Sequence, residues 1–346
     1  MKKLFALIMV AAAVLAVAML PSLGTAADAP AKVGLGHITS ISSSKDKAVA
    51  AATGKVTPAV AQVNTTMAIV AFDAAGKVTH ISVDTSQTKV NFDENGAVTS
   101  DLKDLAKSKV ELGDGYGMRK ASSIKREWFE QMADFEKWMI GKTVAEIKAL
   151  KVKQRDASHT AVPDVPELTS TVTITVQDYI AVVEEAWENA VAVPAGGAKL
   201  GLGHGISIAK SKAYAAQVDN VFAGALFDND GKVVGVIVDT AQTKVAFDKE
   251  GKVTTDKAGV FKTKKELGDA YGMVKASSIK KDWYQQMAEF EKWMTGQTVA
   301  EIQALKVKQR DASHVAVPDI PELTSTVTIT VEGYIAAVAE AYARAK

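Results

Sequence analysis

The sequence contains no cysteine. Disulfides, thiolate metal sites, iron–sulfur clusters and cysteine nucleophiles are thereby excluded, as is a lipid anchor on a signal-sequence cysteine. Histidine is scarce, five residues in 346, with no HExxH and no His-rich tract. No Gly-x-Ser-x-Gly elbow, no GxGxxG and no Lys-Ser/Thr phosphate loop is present, which leaves the common hydrolase and nucleotide signatures empty. Neither sign of charge dominates, 41 basic against 40 acidic side chains, so no basic face for nucleic acid is expected. After residue 30 no apolar run is long enough to cross a bilayer.

Lys2 and Lys3, an apolar run over residues 4–20 and the small-residue exit Pro21, Ser22, Gly24, Thr25, Ala26 read as a signal peptide, residues 1–26. The expected location is secreted or extracytoplasmic, in the cell envelope; the alternative is an uncleaved anchor.

The dominant feature is a repeat. Residues 111–176 return at 266–331, with 54 of 66 aligned positions identical. The expected organisation is a first repeat over 33–190, a linker over 191–198 carrying Pro194, Gly196 and Gly197, and a second repeat over 199–346. The motif Gly34-Leu35-Gly36-His37 recurs as Gly201-Leu202-Gly203-His204, twelve residues closer to the next strand, which places an insertion near residues 48–60. Val-, Ile- and Thr-rich stretches at 62–72 and 77–83 flank the turn Asp73-Ala74-Ala75-Gly76, and a second hairpin is expected at 88–99. Ile124, Trp128, Met132, Phe135 and Met139 recur at helical spacing, and Thr143 with Glu146 fits a capping box. Alternation predicts a strand over 171–176 and a helix over 178–190. Strands precede helices in each unit, so the expected class is α+β, with an antiparallel sheet and packed helices in each of two self-sufficient domains.

Candidate site residues are few. Gly34-Leu35-Gly36 and the segment 113–117 read as turns. His37 and His159 could hold a ligand only if the fold brings them together. Tyr116 and Trp138, with Tyr271 and Trp293 in the second unit, could wall a planar ligand where Trp138 leaves the core face. The hydroxyls of Ser170, Thr173 and Thr175, repeated as Ser325, Thr328 and Thr330, stand before a helix start, a place that favours a phosphate.

The hairpin AQV…FDxxGK, the helix ELGDxYGM…W…Q…FEKW and the Ser/Thr cluster before a helix resemble the FMN-binding domain family of bacterial envelope proteins, in particular tandem flavin-carrying pheromone-type lipoproteins of Gram-positive bacteria. The likeness spans residues 61–190 and 216–345. It implies an exported electron carrier, not a turnover enzyme, with FMN as cofactor and a redox partner in the envelope. In the family FMN is esterified to a Thr that corresponds here to Thr173 and Thr328. Thr171 and Val172, like Thr326 and Val327, stand where the attachment motif has Gly and Ala, so the expectation here is flavin held without a covalent bond. The alternative is a cofactor-free interaction module that self-associates.

Overall fold

The computed structural model describes residues 29–346, and the expected signal peptide lies outside the described residues. The first unit runs β1 (Lys32–Ser40), β2 (Ala48–Val49), β3 (Val56–Thr57), β4 (Val60–Phe72), β5 (Val78–Asn91), β6 (Leu105–Ala106), α1 (Lys109–Leu112), α2 (Trp128–Met139), α3 (Val144–Lys148), β7 (Val152–Lys153), β8 (Val162–Pro163), α4 (Gln177–Glu188) and β9 (Val191–Ala192). The second runs β10 (Lys199–Ser207), β11 (Ala215–Phe227), β12 (Val233–Ala246), α5 (Lys264–Leu267), α6 (Trp283–Met294), α7 (Val299–Gln303), β13 (Val307–Lys308), β14 (Val317–Pro318), α8 (Pro321–Thr324) and α9 (Glu332–Ala343). The α+β class with antiparallel sheets is as expected. The twelve-residue insertion is the exposed hairpin β2–β3. Among the described residues no helix is long and apolar enough to cross a membrane.

Each unit builds one four-stranded antiparallel sheet, in the orders β5-β4-β1-β9 and β12-β11-β10-β6. Side chains alternate across a strand, and both faces of these sheets are covered. From β4, Ala68, Val70 and Phe72 join Trp128, Met132, Phe135 and Met139 of α2 and Val182, Val183 and Ala186 of α4 in the unit's own core. The intervening Met67, Ile69 and Ala71 point the other way, onto Leu200, Leu202, Phe222 and Leu226 of the second unit. The molecule is therefore four layers deep: helices, sheet, sheet, helices. A further cluster closes the sandwich, where Phe92 meets its own counterpart Phe247 edge-on at 5.1 Å.

The two units exchange strands across the expected boundaries. β6, from the first unit, completes the second unit's sheet by pairing Ala106 with Ile206. Part of the expected linker, β9, pairs with β1. The apolar second face of each sheet is covered only by the other copy.

Local readings need three further corrections. β5 is one continuous strand through Asp84, Thr85 and Ser86, because these polar residues are buried between the layers and hydrogen-bonded there, Thr85 to Thr66 at 3.1 Å. The helix expected from Ile124 begins at Trp128, where Glu127 forms the N-cap and Glu130 closes a capping box. The first glycine motif is not a turn but the middle of β1. A Cβ on Gly34 would stand 1.7 Å from the Ala186 carbonyl oxygen, and one on Gly36 2.0 Å from that of Val182. Glycine lets α4 lie directly on the strand; Gly201 and Gly203 do the same for α9.

Two outcomes are expected. Gly34→Ala should cost about 1–3 kcal/mol or more in urea unfolding, while Gly205→Ala, which meets nothing within 4 Å, stays near neutral. Residues 27–198 expressed alone should bind a hydrophobic dye and associate, because the strand face carrying Met67 and Ile69 loses its cover; sizing and dye fluorescence check this against the whole chain.

Candidate functional site

The threonine segment is not a strand. Residues 171–176 form a turn and an irregular lead into α4, since no neighbouring strand takes their backbone groups. Thr173 is held by helix α2 instead: its N–H and its hydroxyl both donate to Gln131 Oε1, at 2.8 and 3.2 Å. Thr328 repeats this on Gln286 at 2.8 and 3.2 Å. The Thr173 carbonyl accepts from Arg155 at 2.9 Å. Val172 is buried in the core. Ser170 and Ser325 are exposed, and the Thr175 and Thr330 hydroxyls are enclosed without a hydrogen-bond partner. The hydroxyl that the attachment motif would use is thus already engaged, and the residue before it is a core side chain. These residues do not fit covalent flavin.

The aromatic candidates separate. Trp138 is half-buried, stacked on Phe135 at 5.9 Å, with the Lys142 ammonium 4.6 Å from its ring centroid. Trp293 likewise stacks on Phe290 at 5.6 Å. One face of each ring is thus already in use. Tyr116 leads elsewhere. Its hydroxyl donates to Gln87 at 3.0 Å, and it forms one wall of a cleft of about 260 Å³ lined by Gln62, Gln87, Lys89, Lys107, Lys109 and Leu112.

Lys109 is the unusual member. Ser108 caps α1 with Glu111 in a capping box, and its hydroxyl donates to Asp84 on β5 at 2.6 Å. That anchoring presses the next residue, Lys109, inward until it is 8% exposed. Its ammonium lies between Tyr116 and Trp128, 5.0 and 5.1 Å from the ring centroids. Among the described residues it makes no ion pair and no hydrogen bond. Ring faces return only about 0.5–2 kcal/mol of the hydration an ammonium loses on burial. Burial accordingly holds its pKa down to about 8, with Asp84 pulling the other way.

The second unit repeats the arrangement residue for residue, with Gln217, Gln242, Lys244, Lys262, Lys264, Leu267 and Tyr271 at the matching positions. Lys264 is 9% exposed, 5.1 Å from the Tyr271 ring and 5.0 Å from Trp283, and burial lowers it to about 8. Tyr271 donates to Gln242 at 3.1 Å. One difference stands beside the cleft: Asn64 in the first unit, Asp219, paired with Lys210, in the second. Sequence reading missed the lysines because lysine at a helix start normally points to water. The available signal was the identity of the whole scattered set between copies.

The histidines also separate. His159 is half-buried, its Nδ1 2.7 Å from Asp156 Oδ1 within one turn. His37 is buried between the units, with Nδ1 3.4 Å from Glu185 and Nε2 3.5 Å from Glu266 of the other copy. Burial opposes a proton on His37, but the hydrogen bond to Glu185 and the charges of Glu266, Glu185 and Asp239 outweigh it and raise the pKa. His37 and His159 therefore do not form a common site.

A pH dependence arises from the two lysines. Their folded pKa is below the unfolded value, so their contribution to stability is complete above about 10.5 and is lost as pH falls toward 8. Unfolding free energy is expected to rise over that window below the range where tyrosines ionise. Urea titrations of the doubly substituted Lys109→Met, Lys264→Met chain should lack that rise.

The sequence is 39% identical over 101 residues to a protein described as chlorophenol reductase from Desulfitobacterium hafniense, a match covering 26% of this chain and 31% of that one. The chain thus spans about a third of the length of this curated relative. No family model and no solved structure matches.

Proposed function

We propose that the protein is a two-site binding protein for an anionic small molecule, with one ligand seated in the lysine-lined cleft of each unit. The observation that carries this reading is the deeply set Lys109, repeated by Lys264: its ammonium has no ion pair and no protein hydrogen bond among the described residues and opens on a cleft whose other charged side chains are also lysines. A phosphate or carboxylate would supply the counter-charge each site lacks, with Gln62 and Gln87 as hydrogen-bonding neighbours and Tyr116 as an aromatic wall. FMN held without a covalent bond is the ligand that the family resemblance nominates, since it joins a phosphate monoester to an aromatic ring system. Bound flavin would supply electron-transfer chemistry. The chain's part would be to hold the phosphate at Lys109 and Lys264, and an exported chain of this kind would serve as an electron carrier. The partial likeness to a protein described as a reductase is in keeping with a redox ligand.

The test is equilibrium titration of the purified chain with FMN, riboflavin and inorganic phosphate. FMN should bind at two sites per chain, and each Lys→Met substitution should weaken its own site by about tenfold or more, because a hydrogen bond to a charged group is worth roughly 1.5–3 kcal/mol. Riboflavin, which lacks the phosphate, should be insensitive to the substitution. Affinity should fall as pH rises through about 8, where the ammonium loses its proton. Phosphate binding without FMN binding would keep the anion site and remove the flavin; binding of neither would remove both.

A further inference from the structure

The two copies form a second pair of sites, in the clefts between the units, and here they are not equivalent. In one, His204 of the second unit faces Asp84 and Glu111 of the first, with Glu340 behind it. Arg344 fills this cleft, reaching Asp84 at 3.4 Å, Glu111 at 3.5 Å and Glu340 at 2.6 Å. Lys346 pairs with the buried Glu136 beside it. In the other, His37 faces Glu266, with Glu185 behind it and Asp239 where the first has Asp84. Asn189 takes the place of Arg344, and Val191 that of Lys346. The one lysine present, Lys265, pairs with Glu291 at 2.6 Å. Three carboxylates thus surround each histidine, but the His37 cleft has one cationic side chain where its twin has two.

We propose that the His37 cleft binds a divalent transition-metal ion, with His37, Glu185 and Glu266 as ligands. Two independent observations point there. One imidazole nitrogen and one oxygen of each carboxylate lie within 4.8 Å of one another, a spacing that small rotamer changes close to metal bonds of roughly 2.0–2.2 Å. In the twin cleft the counterpart carboxylates Glu111 and Glu340, with Asp84, are already ion-paired with a cation, the Arg344 guanidinium. A ligand set of one imidazole and two carboxylates suits zinc or manganese. The site needs both units, since Glu266 belongs to the second copy and His37 and Glu185 to the first.

The experiment is equilibrium dialysis of the full chain against zinc, with bound metal counted by mass spectrometry. The wild-type chain should retain one zinc, Glu266→Gln should weaken retention by about tenfold or more, and Asn189→Arg should abolish it by installing the twin's guanidinium. Arg344→Asn should raise the count to two by emptying the twin. Circular dichroism checks that each variant is folded. Should Asn189→Arg fail to fold, Glu266→Gln decides, because glutamine keeps an acceptor for the Thr263 N–H. The proposal is overturned if wild-type and Glu266→Gln chains retain zinc equally, if folded Asn189→Arg retains it, or if retention is lost only on replacing His159 and His314.

Discussion

Everything in this molecule depends on the contact between the two sheets. A sheet with helices on one side leaves its other side bare, and each copy here covers the bare side of the other. The consequence is written into β4: even-numbered Ala68, Val70 and Phe72 pack on helices, odd-numbered Met67, Ile69 and Ala71 on the sister sheet. A strand buried on both faces loses the polar alternation that would mark a single solvated side. Each large side chain placed there contributes roughly 1.5–3 kcal/mol, and that contribution exists only when both copies are present. The duplication thus supplies the cover that the second face of each sheet has in this fold.

Much of this was legible from residues alone. Asp-x-x-Gly turns, the Thr143–Glu146 capping box and the apolar face of α2 are local devices whose partners lie within a few residues, and all appear in the structure. What was not legible depends on the other copy or on a distant element. Gly34 and Gly36 resemble turn glycines until a helix axis is laid across them. Asp84 and Ser86 resemble a loop until the interior that satisfies them is known. The alternation in residues 171–176 is real, since Val172, Ile174 and Val176 are buried, but a strand needs a neighbour, and Gln131 bonds to Thr173 instead. Lys109 followed the ordinary expectation for its residue type, and only its surroundings break it.

Several differences between the copies fall where the copies meet. Ile69 packs into the space left by Gly224, its own counterpart; two isoleucines would collide there and two glycines would leave a void. Arg344 against Asn189 and Lys346 against Val191 lie beside the same interface, as does Lys265, whose counterpart in the other copy is Val110. By contrast, the six residues that line the cleft with Lys109 recur around Lys264, and only Asn64 against Asp219 differs beside it. A position on a two-fold axis cannot serve both copies with one large side chain, so the interface must diverge if it is to pack. A cleft within each unit is free of that constraint and stays the same.

The two kinds of site also share a lever. The one-turn helix α5 carries Lys264, the anchor of the inner cleft, and two residues later Glu266, which faces His37 across the interface. Its N-cap is fixed by the Glu266 side chain accepting from the Thr263 N–H at 2.7 Å, and Asp239 holds the Lys265 N–H at 3.1 Å. The same carboxylate therefore sets the pitch of the turn and lines the cleft between the units. In the twin, Glu111 performs both tasks for α1 while also bonding Arg344, so there the turn is already braced by a cation. Lys109 thus sits on a turn braced by Arg344, and Lys264 on a turn braced by Lys265, which pairs with Glu291 at 2.6 Å.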